Sequence, residues 1–335
     1  MSKKLFRYGR KFLPLIGIVF LGYLVYSLGI KDIKNAFLSI HPIYIIFALS
    51  LTVPRVFIRN YSWRLIQKEQ KINLTYFQSL KIFMIGYFYA SVTPGFVGQV
   101  MRLPYMKEKT GECYGKLFIN TLIEVTLRQF AIYTMIFFGL IMTIESFSDI
   151  ELFRIILMII IVAIIVTIGI IWYFIGKERG DNTFRFLERY LIPGRFKETY
   201  FDFVDTFYKD FPRLNRLIIP FLLSFVTWII IFSQEYIIVM AVGANIPYVS
   251  FILLFPVANI AGYIPITFAG LGTRELASIL IFSTLFGVAD YKIFVFTVVG
   301  FIVTDVFTGF LGFLISLTET RKKGISNVEN IAKKD

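Results

Sequence analysis

The sequence predicts an all-α polytopic membrane protein, and three observations carry that prediction. Of 335 residues, 57% are hydrophobic and only 17% are charged, with mean hydropathy +0.71. A soluble domain of this length carries about 25% charge. Several apolar runs reach the ~18–20 residues that cross a bilayer as a helix, where a transmembrane barrel would show short alternating segments. Lysine and arginine gather in the segments between those runs.

Full spans are expected at about 12–30, 43–63, 117–143, 152–176, 217–243 and 293–318. The first follows a basic start, lacks an A-x-A-like cleavage site and reads as an uncleaved span. Two other apolar segments are interrupted. Residues 77–101 end in TPGFVGQV, and 251–289 are broken by GYIPITFAGLGTRE. The hairpin-break residues are Thr93, Pro94, Gly95 and Gly98 in the first, and Pro265, Gly270 and Gly272 in the second. Proline and glycine open the backbone there, and freed carbonyls in a membrane need protein or water.

Charge sets the topology. Of the 35 lysines and arginines, 27 fall in the N-terminal tail, the loops near 64–81, 102–116 and 177–216, and the C-terminal tail. The positive-inside rule assigns those segments to the cytoplasm. Segment 77–101 then enters and leaves from inside, and 251–289, flanked by loops poor in Lys and Arg, from outside. The expected plan is about six transmembrane helices plus two oppositely oriented re-entrant hairpins, with both termini cytoplasmic in the cell membrane. One integral membrane domain covers 1–335, with repeat A at about 43–143 and repeat B at about 217–318. Phe96 and Gly98 precede Arg102 with the spacing by which Phe268 and Gly270 precede Arg274. Inverted repeats with broken helices are a recurring transporter plan. A basic tail occupies 319–335. Within 177–216, Phe196, Tyr200, Val204, Phe207 and Phe211 recur at helical spacing, as an amphipathic surface helix or a cap packed on the spans.

The net charge of +13 is explained by cytoplasmic loops, and no nucleic-acid partner is expected. One cysteine (Cys113) and one histidine (His41) leave no Cys/His metal cluster, and no cofactor is expected.

Charges inside apolar segments are the candidate substrate-binding residues, because they are costly in lipid and mark paths or partners. Glu124 and Arg128 lie four apart on one face, as a structural pair or a polar wall. Gln234, Glu235 and Asp305 have no evident partner on their own helices. Asp305 is expected to meet Arg274 or Arg128, or to be protonated. Arg55 and Arg59 share a face, either snorkelling to inner headgroups or gripping an anionic headgroup. Arg274 and Glu275 open a half-helix whose N-terminus would attract phosphate, and Arg102 stands beside the glycines of the first break.

TPGFVGQVMR, INTLIEVTLRQ and YIPITFAGLGTRELAS together resemble the lysylphosphatidylglycerol synthase transmembrane-region family, also called flippase-like, over about 10–318. Pro94, Gly95, Gly98 and Arg102 match its first block. Pro265, Gly270, Gly272, Arg274 and Glu275 match its third. In the second block the family typically has Glu-Arg, where this chain has Glu124-Val125 with Arg128 a turn later. The resemblance implies lipid handling. Larger relatives carry aminoacyl- or glycosyl-transfer domains that are not expected here. The leading expectation is a lipid flippase without a catalytic domain, whose partners are membrane lipids. Arg102 and Arg274 would bind a phosphate-bearing headgroup, and Glu124, Glu235 and Asp305 would line the path or carry a coupling proton. The alternatives are a scaffold for a separate lipid-modifying enzyme, or an intramembrane transferase using Glu124 or Asp305 as general acid or base.

Overall fold

The computed structural model describes residues 22–91, 93–147, 208–262 and 272–332, with scattered residues between 158 and 206. The elements defined among them are all helical. They are α1 (Ile30–Ser39), α2 (Pro42–Ser50), α3 (Thr52–Glu69), α4 (Tyr76–Ser91), a 3₁₀ segment (Pro94–Met101), α5 (Arg102–Thr110) and α6 (Tyr114–Phe147). After a 3₁₀ turn at Leu214–Leu217 come α7 (Ile218–Ala241), α8 (Tyr248–Ala261), α9 (Thr273–Phe286), α10 (Asp290–Phe301), a π-helical turn (Ile302–Val306) and α11 (Phe307–Ala332).

Among the described residues, four stretches are long and apolar enough to cross a membrane: Pro42–Glu69, Tyr114–Ile141, Leu214–Ala241 and Asp290–Glu319. They correspond to the expected spans at 43–63, 117–143, 217–243 and 293–318. Residues 12–21 and most of 152–176 lie outside the described residues. The helices of the two interrupted segments are short. α4 has 16 residues, and α8 and α9 have 14 each. At 1.5 Å per residue they reach about 21–24 Å, less than the ~30 Å hydrocarbon core.

Local chemistry explains most boundaries. His41, the single histidine, caps α2: its Nδ1 accepts from the Ile43 N–H at 3.3 Å, with Pro42 at the first helical position. Gln78 and Thr75 form a reciprocal cap at the start of α4, with Gln78 Oε1 accepting the Thr75 N–H at 2.9 Å and Thr75 Oγ1 accepting the Gln78 N–H at 3.3 Å. Lys71 takes the left-handed conformation (φ 55°) after α3, and the Ile72 N–H reaches back to the Gln67 carbonyl at 2.8 Å.

The span expected as one helix over 43–63 is interrupted. α2 ends at Ser50, Leu51 is a turn, and α3 begins at Thr52. Pro54 has no N–H to give the Ser50 carbonyl, and its ring crowds that turn. The sequence reading passed over this proline because the hydropathy around it stays high.

The chain divides into two compact units. The first takes residues up to Asn60, Thr75–Arg102 and Ile229 onward. Its core is aromatic. Phe251 packs against Phe255 (4.8 Å), Phe282 (5.5 Å) and Phe296 (5.9 Å), which ties α8, α9 and α10 together. α11 lies close on α4 because it presents glycine: a Cβ on Gly312 would run into the Met84 carbonyl, and one on Gly309 into Ser91. Small residues at such contacts let helix backbones approach where lipid provides no hydrophobic drive.

The second unit takes Tyr61–Leu74 and Leu103–Trp228. Ile66, Ile119, Ile123 and Leu217 form its core, with Leu127 and Phe211 against them. A buried polar chain accompanies it. Trp63 Nε1 donates to Asn120 Oδ1 (2.7 Å), Asn120 Nδ2 to Gln70 Oε1 (2.8 Å), and Gln70 Nε2 to the Asp210 carbonyl (3.0 Å). Val204 is buried and Phe211 packs on this core. Phe196 and Phe207 lie outside the described residues.

Candidate functional site

Among the described residues, every buried Arg or Glu is one the sequence had singled out: Arg55, Arg59, Arg102, Glu124, Arg128, Glu235, Arg274 and Glu275. No Lys or Asp is fully buried there. Six of the eight belong to the first unit, with Gln234 and half-buried Asp305 beside them. Glu124 and Arg128 belong to the second, on α6. Arg128 there lies over the Trp228 ring at 5.6 Å and accepts the indole N–H through its carbonyl at 3.0 Å.

The first interrupted segment reverses at Thr93. The Thr93 hydroxyl donates to the Tyr89 carbonyl (2.9 Å) and accepts the Gly98 N–H (2.8 Å), so one side chain ties both legs. A Cβ on Gly98 would strike the Tyr89 carbonyl, and the stem of Arg102 lies against Gly86. The 3₁₀ segment therefore runs back antiparallel to α4, starting from Pro94 and Gly95. Arg102 is buried, donates to the Gln99 carbonyl at 3.2 Å and to the Gln99 side chain, and leans over Phe83 at 5.8 Å. It is not a solvated cytoplasmic anchor.

In the second segment, α9 begins after Gly272, whose φ of 95° suits glycine. Pro265 and Gly270 lie outside the described residues. Glu275 reaches back to the Gly272 N–H, the reciprocal half of a capping box, and its other oxygen accepts from Arg274 at 2.6 Å. Arg274 also donates to the Thr297 carbonyl at 3.3 Å and lies over Phe301 at 4.7 Å. The anion at this helix N-terminus is thus supplied by the chain itself.

Arg55 and Arg59 do not snorkel. Arg55 is 3% exposed and donates to the Thr304 carbonyl (2.8 Å) and the Thr308 hydroxyl. Arg59 is 6% exposed and sits over Phe83 (4.8 Å) and Tyr87 (5.6 Å), in cation–π geometry. Gln234 answers the break in the second span: its Nε2 donates to the Ala48 carbonyl (2.7 Å) and to Thr52 Oγ1 (2.9 Å). A helix interruption frees such a carbonyl, and the amide replaces the lost bond.

Among the described residues Asp305 takes its hydrogen bonds from Tyr87 and Thr304, and Arg274, one of the arginines expected to meet it, interacts with it electrostatically. Tyr87 donates to its Oδ1 at 2.7 Å, and Thr304 Oγ1 lies 3.1 Å from its Oδ2. Thr304 also lies 3.4 Å from Glu235 Oε1. Glu235 is buried against Gly300, where any Cβ would collide with the carboxylate. Thr304 and Asp305 sit in the π-helical turn, a feature that concentrates at functional sites.

Tyr87, Gly300, Thr304 and Thr308 were missed by the sequence reading. Their roles come from long-range pairing, which a sequence does not display. The one local signal was Thr304-Asp305 in an otherwise apolar helix.

Among the described residues the result is a polar, net-cationic cluster, buried except for half-buried Asp305: four guanidiniums (Arg55, Arg59, Arg102 and Arg274) against three carboxylates (Glu235, Glu275 and Asp305) in one unit. A comparison with proteins of curated function gives no match. The family model described as lysylphosphatidylglycerol synthase TM region matches residues 13–312, and the chain belongs to that family.

Proposed function

We propose that this protein is a lipid flippase or transporter, carrying an anionic, phosphate-bearing lipid across the cell membrane. Family membership relates it to membrane proteins of lipid handling. The observation that carries the reading further is the net-cationic cluster on interrupted helices. Charge at membrane depth is costly and marks substrate paths. Guanidinium groups match phosphate in a two-pronged geometry. In this reading the 77–101 and 251–289 segments are re-entrant hairpins from opposite faces, and both termini are cytoplasmic. Arg102 and Arg274 meet the headgroup. Glu275 is the resident counter-ion that a phosphate replaces at Arg274.

The test is accessibility of a labelled anionic lipid in proteoliposomes, comparing wild type with Arg274→Ala. Loss of a charge-assisted hydrogen bond, about 1.5–3 kcal/mol, slows translocation by about tenfold or more. Equal rates above the empty-vesicle baseline remove Arg274 from the path. No translocation by the wild type, with a lipid-modifying enzyme retained in detergent pull-downs, supports the scaffold role instead.

A further inference from the structure

Two carboxylates in the first unit are bridged by a single hydroxyl. Thr304 Oγ1 lies 2.9 Å from the Gly300 carbonyl, 3.1 Å from Asp305 Oδ2 and 3.4 Å from Glu235 Oε1. On the far side of Asp305, Tyr87 donates to Oδ1 at 2.7 Å. We propose that Glu235, Thr304 and Asp305, with Tyr87 positioning Asp305, form a proton relay that couples lipid movement to a proton gradient, a proposal that rests on the transport reading above.

The hydrogen-bond inventory carries the argument. A threonine hydroxyl has one hydrogen and two lone pairs, and a carbonyl or ionised carboxylate only accepts. With both acids ionised, three acceptor oxygens would compete for one hydrogen. The competition eases when one acid carries a proton and donates to Thr304, leaving only the Gly300 carbonyl and one carboxylate for the threonine hydrogen. The surroundings choose which. Asp305 is half-buried, accepts from Tyr87 of α4, and interacts electrostatically with Arg274 on α9, while Arg55 and Arg59 on α3 act on the Tyr87 phenol. Those groups suit a carboxylate. Glu235 is 2% exposed, and its Oε2 has no hydrogen-bond partner among the described residues. Arg274 and Glu275 on α9 and Asp305 on the π turn act on it electrostatically, one cation against two acids. A buried oxygen without a partner suits the neutral acid, because an unpaired buried charge costs far more.

Transfer keeps the proton count fixed. The Glu235 O–H bond breaks and Thr304 Oγ1 takes the proton. The hydrogen that Thr304 gave to the Gly300 carbonyl turns toward Asp305 Oδ2, its original Thr304 O–H bond breaks, and that proton binds Asp305. Glu235 is then a carboxylate in the field of Arg274, and Asp305 is neutral. Tyr87 keeps its phenol hydrogen and holds Asp305 in place. The relay runs from a buried carboxyl to a half-buried one, through a turn whose π-helical winding already departs from the regular ladder.

Two measurements test the relay. Infrared spectroscopy of the purified full-length protein is expected to show a protonated-carboxyl C=O band that disappears in Glu235→Gln. A wild-type spectrum without that band, or a band unchanged by the substitution, overturns the assignment. For coupling, the protein is reconstituted in phosphatidylcholine–phosphatidylglycerol vesicles containing fluorescent phosphatidylglycerol, with an imposed pH gradient. One proton per lipid biases wild-type movement by up to about tenfold per pH unit of gradient. Glu235→Gln and the near-isosteric Thr304→Val lose that dependence, and Thr304→Val keeps the infrared band. Wild-type movement that ignores the gradient overturns the coupling and leaves the transport reading intact. No movement of phosphatidylglycerol by the wild type at any gradient overturns both.

Discussion

At the scale of single residues, the cost of burying polarity in lipid explains where each group goes. Gln234 offers two donors to a helix break, and the break offers a carbonyl and a hydroxyl in return. Replacing it by leucine leaves the Ala48 carbonyl without that partner. Such bonds in membrane proteins contribute roughly 0.6–2 kcal/mol, so Gln234→Leu is expected to lower the detergent melting temperature modestly. Gly300 plays the opposite part, by absence of a side chain. Gly300→Ala would drive a methyl into the Glu235 carboxylate. Overpacking of this kind costs about 1–3 kcal/mol. We expect a larger drop in melting temperature than for an alanine placed at Gly169, where a Cβ meets nothing within 4 Å.

At the scale of elements, the informative features are interruptions. The second span breaks at Leu51, the last apolar helix winds through a π turn, and the chain reverses at Thr93. The first interruption has a sequence cause in Pro54. The π turn has no proline or insertion that announces it. The close approach of α4 and α11 is testable directly. Cys113 is the single native cysteine, so a Cys113→Ser background leaves an introduced Ser91→Cys/Gly309→Cys pair as the only thiols. A Cβ at 309 would lie 3.1 Å from the Ser91 Cβ, close to the ~3.5–4.5 Å of a disulfide. Mild oxidation is expected to close that bond, read as loss of free thiol. Two thiols that persist under oxidation would mean that α4 and α11 do not meet as described.

At the scale of the whole molecule, the reading is an orientation in the membrane. Asn73, Asn245 and Ala289 are exposed at ends of elements. In the Cys113→Ser background, Asn245→Cys and Ala289→Cys are expected to react with an impermeant maleimide on intact cells. Asn73→Cys is expected to react only after permeabilisation. Labelling of Asn73→Cys in intact cells would reverse the topology, and with it the side from which each hairpin enters.

Composition and hydropathy alone determined the class of this protein, because water and lipid sort side chains before any tertiary contact exists. The same reasoning picked out most of the Arg and Glu found buried among the described residues, since ionisable groups inside apolar runs stand out by their cost, and Arg102 was picked out by its place beside the first break. The spacing of glycine and proline also located the reversal at Thr93 and the helix start at Gly272. Tertiary structure decided what those charges touch. It gave Arg274 to Glu275, Arg55 to the Thr304 carbonyl, and Asp305 to Tyr87, which lies 218 residues away. It also brought Glu235 to Thr304 and opened the π turn that carries Thr304. Partner choice of this kind depends on which helix faces meet, and helix contacts in a membrane turn on small residues and backbone breaks more than on hydropathy. A linear pattern of apolar and polar residues records the cost of each charge but not the group that offsets it.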